Sequence, residues 1–160
     1  MHIERRLAGM GLQLPAAMQL PPGVTLSFPW VRVHGGRVLV SGHGPLLADG
    51  SLAPPLGKVG DQVTEDQAHQ AARLTALAVL GSLQRELGDL DRVTAWLRVF
   101  GMVNAAPGFT RMPAVLNGFS DLIVALWGPE AGGHARSAVG LAELPFNIPV
   151  EVEAELAIDG

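Results

Sequence analysis

Apolar and polar residues alternate most regularly near the C-terminus. There VEVEAELAI sets Val150, Val152, Ala154, Leu156 and Ile158 on one side of an extended chain and Glu151, Glu153 and Glu155 on the other. The period of two predicts a strand with one covered face and one charged face. Between Thr64 and Leu87 the period becomes helical, with Ala68, Ala71, Ala72, Thr75, Ala76, Val79, Leu80, Leu83 and Leu87 on one stripe. Thr64-Glu65-Asp66-Gln67 has the form of a capping box, and Gly88 is placed to stop the helix. The alanines on this stripe allow a close approach to a sheet. A second helical pattern, Met112 to Trp127, puts Val115, Phe119, Leu122, Ile123 and Leu126 inside and runs through Gly118.

Strands are predicted over Val24–Val33 and Arg37–Ser41, joined by a tight turn at His34-Gly35-Gly36, and over the β-branched and aromatic run Val93–Val103. Pro45 to Asp61 reads as a loop, and residues 3 to 10 as a short helix cut off by Pro21-Pro22-Gly23. The order is ββαβ followed by αββ. It predicts an α+β sandwich, with two helices on one face of a mixed sheet. Residues 1–23 form an N-terminal arm and residues 24–160 a single domain.

Charge and composition narrow the function classes. The net charge of -4 and a pI near 5.7 leave no basic field for a phosphate backbone, so nucleic acid is not an expected partner. No cysteine is present, which rules out disulfides and thiolate metal sites and fits a reducing, cytoplasmic setting. The five histidines show no paired ligand spacing, so no metal site is expected. No apolar run is long enough to span a membrane, and the N-terminus has no signal-like core, so no membrane partner is expected.

The lone Arg136 within the apolar HARSAVGLAELP run calls for a partner. A hairpin centred on Phe146-Asn147 would place Arg136 opposite about residue 157, about 20 Å along the sheet from Glu151, so the two could not pair within one subunit. Parity in that hairpin puts Arg136, Ala138 and Gly140 on an open face, and Ser137, Val139 and Leu141 on the helix-covered one. Such an open face, small-residue-rich around one arginine, is suited to cover by a second copy of the chain.

ARSAVGLAELP followed by VEVEA, with LVSGHGPL at residues 39–46 and the segment ELGDLDRVTAWLRVFGMVN, resembles the Rid family of imine deaminases, also called YjgF or L-PSP, from about residue 24 onward. The long NAAPGFTRMPAVLNGFSDLIV segment and the arm mark a divergent subgroup. The resemblance implies a chorismate-mutase-like fold and a homotrimer with sites between subunits. It also implies cofactor-free hydrolysis of 2-imino or enamino acids to 2-keto acids and ammonia. In that reading Arg136 holds the carboxylate of a small carboxylate-bearing substrate in a bidentate pair, and Glu151 positions the attacking water. Ser41 and Gly42 match the family's pocket-lining Ser-Gly pair, and Asn117 falls near its helix asparagine.

Three positions depart from the family pattern: Phe28 where tyrosine is common, Ala138 where cysteine is common, and His43 where glutamine is common. The loss of a hydroxyl and a thiol makes the pocket more apolar and shifts the expected preference to larger apolar side chains. Phe28 and Trp30 fit a core role as well as a pocket lining, and Asn117 fits an ordinary polar helix face. A non-catalytic trimer that binds small carboxylates is the alternative, and Glu151 is the residue that separates the two.

Overall fold

A computed structural model describes residues 1–160 and shows a five-stranded sheet with helices on one face. The strands are β1 (Val31–His34), β2 (Arg37–His43), β3 (Val93–Asn104), β4 (Ala135–Leu141) and β5 (Val150–Ile158). Their order across the sheet is β1-β2-β5-β3-β4, antiparallel except for the parallel pair β3/β4. The helices are α1 (His2–Gly9), α2 (Glu65–Leu87) and α3 (Met112–Ala131). The fold is α+β, with helices on one face of a mixed sheet, as expected, and no helix is long and apolar enough to cross a membrane.

Local signals are realised where they are strongest. Thr64 Oγ1 accepts from the Gln67 amide at 3.1 Å while the Gln67 side chain accepts from the Thr64 amide at 3.0 Å. This reciprocal box stabilises the α2 start by about 1 kcal/mol. Gly88 ends α2 with φ 81°. Gly35 and Gly36 both take positive φ in the β1/β2 turn, which pairs His34 with Arg37. All nine residues of the predicted α2 stripe are buried, as are the five inner residues of α3.

Three expectations are corrected. Val24–Val33 is not one strand: β1 begins only at Val31, and Pro29 lacks the amide that a longer ladder would use. The last two strands do not form a hairpin, because β3 lies between them. β4 leaves α3 parallel to β3 at the sheet edge, and β5 returns through the centre between β2 and β3. The cause lies in the residues: Val150, Val152 and Leu156 are fully buried and need strands on both sides, whereas Ala-, Ser- and Gly-rich β4 tolerates an edge. The faces of β4 are consequently reversed. Arg136, Ala138 and Gly140 pair with Val99, Gly101 and Val103 on the helix side, and Ser137, Val139 and Leu141 share the open face with the glutamates.

Close approach fixes the layers. A Cβ on Gly118 would stand 2.1 Å from the His69 carbonyl oxygen of α2, and one on Gly101 would stand 2.3 Å from Leu116 Cδ1. Gly118 is thus the point where α3 touches the α2 backbone, and a second tie, His69 Nδ1 to Ala114 O at 3.0 Å, joins the same helices. The arm is part of the same body: Ile3 and Leu7 are buried in the main core, and the Met1 ammonium is bound by Asp89 and Asp91.

Gly118→Ala adds a better helix former, worth about 1 kcal/mol in an unconstrained helix. Here it is expected to lower stability by about 2 kcal/mol or more, because the backbones must separate. Urea unfolding measures the difference; a variant as stable as the parent would show that the helices do not meet at Gly118.

Candidate functional site

A bulge opens the first half of the site. β2 and β5 pair Val40 with Ala154 and then His43 with Val152, so Ser41 and Gly42 together face one residue of β5. The extra residue turns His43 inward, where it is 5% exposed. Its Nδ1 lies 2.6 Å from Ser41 O and its Nε2 2.9 Å from Ser82 Oγ of α2. Burial, followed by a weaker effect of the Arg85 charge, pushes its pKa down to about 4 despite the Ser41 hydrogen bond. His43 is therefore a neutral imidazole at pH 7, its Nδ1 proton donated to Ser41 O.

Gly42 makes room for Glu151. A Cβ at Gly42 would stand 3.0 Å from both Cδ and Oε1 of Glu151. The Glu151 carboxyl is half-buried and its pKa is raised, first by desolvation and then by the neighbouring Glu153 charge. Glu151, Gly42, Phe28 and Trp30 line one cavity of about 170 Å³. Phe28 is 50% exposed at its mouth, which sets aside the core reading for this ring. It meets Trp30 edge to face at 5.8 Å, and Trp30 in turn packs on His43 at 4.9 Å. Ser41 donates its hydroxyl to Pro29 O at 2.8 Å and so anchors the chain leading into β1.

Arg136 forms the second half. Its Nη1 donates to Asn117 Oδ1 at 3.0 Å and to Ser120 Oγ at 3.1 Å, and its Nη2 donates to Pro113 O at 3.4 Å. All three acceptors are neutral, so the guanidinium is oriented while its charge is left uncompensated, the state suited to an incoming carboxylate. Ala138 follows on the same face of β4, two residues beyond.

Ser120 and His134 are additions that the sequence reading did not single out. His134 Nδ1 lies 2.7 Å from Gly132 O, so that nitrogen carries the proton, and Nε2 accepts the Ser120 hydroxyl at 2.9 Å. Burial, with a smaller effect of Arg136, lowers the His134 pKa and keeps it neutral. Ser120 therefore donates to His134 and turns a lone pair to Arg136. The available signal was helical: Pro113, Asn117 and Ser120 stand at i, i+4 and i+7, one stripe of α3 facing the edge strand.

The two halves do not meet in one chain. Arg136 is in register with Val99 and hence Ala154, three residues from Glu151 along β5. That places their backbones about 14 Å apart, two strand spacings across and three residues along, with the side chains on opposite faces. The expected separation within a subunit therefore stands on different geometry from the hairpin that predicted it. One group of carboxylates close enough to share an ion, Glu4, Asp89 and Asp91, is taken up by the N-terminal ammonium.

Comparison with known proteins places this architecture. The family model described as "YjgF/chorismate_mutase-like, putative endoribonuclease" matches residues 4–154. Protein TCP17 of Trypanosoma cruzi is 40% identical over 153 residues, covering 96% of this chain and 92% of that one. The crystal structure of Atu1372 from Agrobacterium tumefaciens, a protein with unknown function, is 36% identical with a TM-score of 0.87, covering 99% and 93%. A protein from Shewanella oneidensis MR-1 is 27% identical with a TM-score of 0.88, covering 99% and 100%.

The neutral, buried His43 gives the site half a signature in acid. Its depressed pKa contributes stability that is complete above the ordinary value of 6.5 and lost as pH falls through about 4. The wild type minus His43→Gln difference in unfolding free energy is expected to fall by about 3 kcal/mol over that window, as read by denaturant titration. A difference that stays flat between those pH values would mean that His43 protonates freely in the fold.

Proposed function

The chain belongs to the YjgF/Rid family, and from that membership we propose that it hydrolyses reactive 2-imino and enamino acids to 2-keto acids and ammonia, at sites built between protomers of a homotrimer. The observation that carries the reading is the division of the site. Each chain holds an oriented, uncompensated Arg136 and a desolvated Glu151, on opposite faces of the sheet. A neighbouring copy brings the missing charge to each.

The chemistry follows from the two groups. Arg136 binds the substrate carboxylate as a planar fork and, in doing so, removes the repulsion that Glu151 would exert on an anion. A water held by Glu151 adds to the iminium carbon, and the carboxylate takes its proton to leave a carbinolamine. The same carboxyl returns that proton to the nitrogen, the C–N bond breaks as the hydroxyl gives its proton back to the carboxylate and becomes the C=O, and the departing ammonia carries that proton away as ammonium. A carboxyl with a raised pKa suits both directions of transfer, since it is a stronger base than an exposed glutamate. No cofactor enters these steps.

The word endoribonuclease in the family description is less well supported by this chain. Its net charge is -4, which leaves no basic field for a phosphate backbone.

Arg136→Ala is expected to abolish turnover and binding of 2-keto acids. Glu151→Gln is expected to spare binding and slow hydrolysis by about a hundredfold or more. Imine hydrolysis by the Gln variant at the wild-type rate would favour a carboxylate-binding role instead.

The division of the site gives a sharper test. Mixing the two inactive variants, with subunit exchange, is expected to restore about a quarter of wild-type activity, the share of interfaces that combine an intact Arg136 with an intact Glu151. Sedimentation should report a trimer; a monodisperse monomer at micromolar concentration, or no recovery in exchanged mixtures, would remove the shared site.

A further inference from the structure

Arg136 stands at the end of a chain of groups that starts in a tight turn. α3 passes into β4 through Gly132 and Gly133, where no side chain fits: a Cβ would stand 2.7 Å from Gly128 O at Gly132 and 2.4 Å from Pro129 O at Gly133. Gly132 N closes the turn by donating to Gly128 O at 2.8 Å. The Gly132 carbonyl is thereby set 2.7 Å from His134 Nδ1. That contact commits the Nδ1 proton, and Nε2 of the neutral ring is left as an acceptor.

Ser120 is the group on which this acceptor acts. A hydroxyl inside a helix commonly bonds back to the carbonyl one turn earlier, as Thr75 Oγ1 does to Ala71 O at 2.8 Å in α2. Ser120 instead places its Oγ 2.9 Å from His134 Nε2 and 3.1 Å from Arg136 Nη1. With its proton on the imidazole, the oxygen presents a lone pair to the guanidinium. Nη1 is then spent on Asn117 Oδ1 and Ser120 Oγ, and Nη2 makes one bond, to Pro113 O. Nε makes none within the chain, so Nε and the rest of Nη2 are left for a two-point contact with a carboxylate.

The same chain of groups recurs beside Glu151. Arg85 Nη2 donates to Ser82 Oγ at 3.1 Å, Ser82 Oγ lies 2.9 Å from His43 Nε2, and His43 Nδ1 lies 2.6 Å from Ser41 O. In both cases the imidazole bonds the carbonyl two residues before it. Arg85 Nη1 donates to Pro15 O at 3.2 Å, so there the held arginine ties the N-terminal arm to α2. The arrangement is thus a means of fixing a guanidinium in one orientation.

We propose that His134 and Ser120 are positioning residues for carboxylate binding: His134 takes the Ser120 proton, and Ser120 in turn fixes the Arg136 guanidinium with its Nε side free. The proposal rests on the reading of Arg136 as the carboxylate anchor. Both residues act through Arg136, which is ordered before a ligand arrives and so loses less side-chain freedom on binding.

Two readouts test the pair. Nitrogen-detected NMR follows rotation about the Arg136 Nε–Cζ bond: separate Nη1 and Nη2 signals are expected in the wild type, and merged signals in Ser120→Ala and His134→Leu. Calorimetry with pyruvate is expected to show binding about tenfold weaker in each variant, the scale of one hydrogen bond to a charged group. Because His134 acts through Ser120, the double variant should bind no more weakly than Ser120→Ala alone. His134→Gln, whose Oε1 offers an acceptor in place of Nε2, should recover most of the loss. Merged signals already in the wild type, additive losses, full binding by the Leu variant, or equal loss in the Gln and Leu variants would overturn the positioning pair. Pyruvate binding by no form, with the separate signals and their merging as expected, would overturn the carboxylate reading and keep the pair on Arg136.

Discussion

The position of β5 governs the rest of the structure. Its apolar residues Val150, Val152 and Leu156 are fully buried beneath the helices, and its glutamates consequently face away from them. A strand so divided needs hydrogen-bonded neighbours on both sides, and it takes β2 and β3. β4 is thereby left at the edge, where Arg136 reaches α3 rather than any carboxylate. The bulge in β2 is set by the same strand, because two residues there must match one of β5, and Gly42 gives way to Glu151. Both halves of the site thus follow from one strand's placement.

The Glu151 half carries an electrostatic cost that the isolated chain does not offset. The raised pKa of Glu151 means that the fold binds its proton more tightly than the unfolded chain does. Stability from this group is complete below the ordinary glutamate value and is lost as pH rises through the folded one. The ionised carboxylate is thus a destabilising element, made worse by Glu153 beside it. Charges of opposite sign, each without a charged partner in the chain, are open to neutralisation by groups from outside it.

Much of this was legible in the sequence, and what was not has physical reasons. The capping box at Thr64, the stop at Gly88 and the α2 stripe are local, and local rules placed them. The alternation in β5 named the face that Glu151 occupies, yet period two says nothing about which strand lies alongside. A run of eight residues from 142 to 149 could serve a hairpin or a return through the sheet centre, and the hairpin reading inverted the faces of β4. Ser120 and His134 were missed because their chemistry depends on α3 lying across an edge strand, a tertiary fact. The family motif pointed to Arg136, Asn117 and Glu151 without that topology, because the motif is a record of the arrangement and not a derivation of it.

The departures from the family pattern are consistent with one another once the walls of the cavity are considered together. Phe28 lacks the hydroxyl that a tyrosine would place at the mouth, and it packs instead edge to face on Trp30, which covers the neutral His43. A charged imidazole there would place a cation beside an apolar ring and compete for Glu151. The depressed pKa therefore belongs with the apolar lining rather than with the acid–base step.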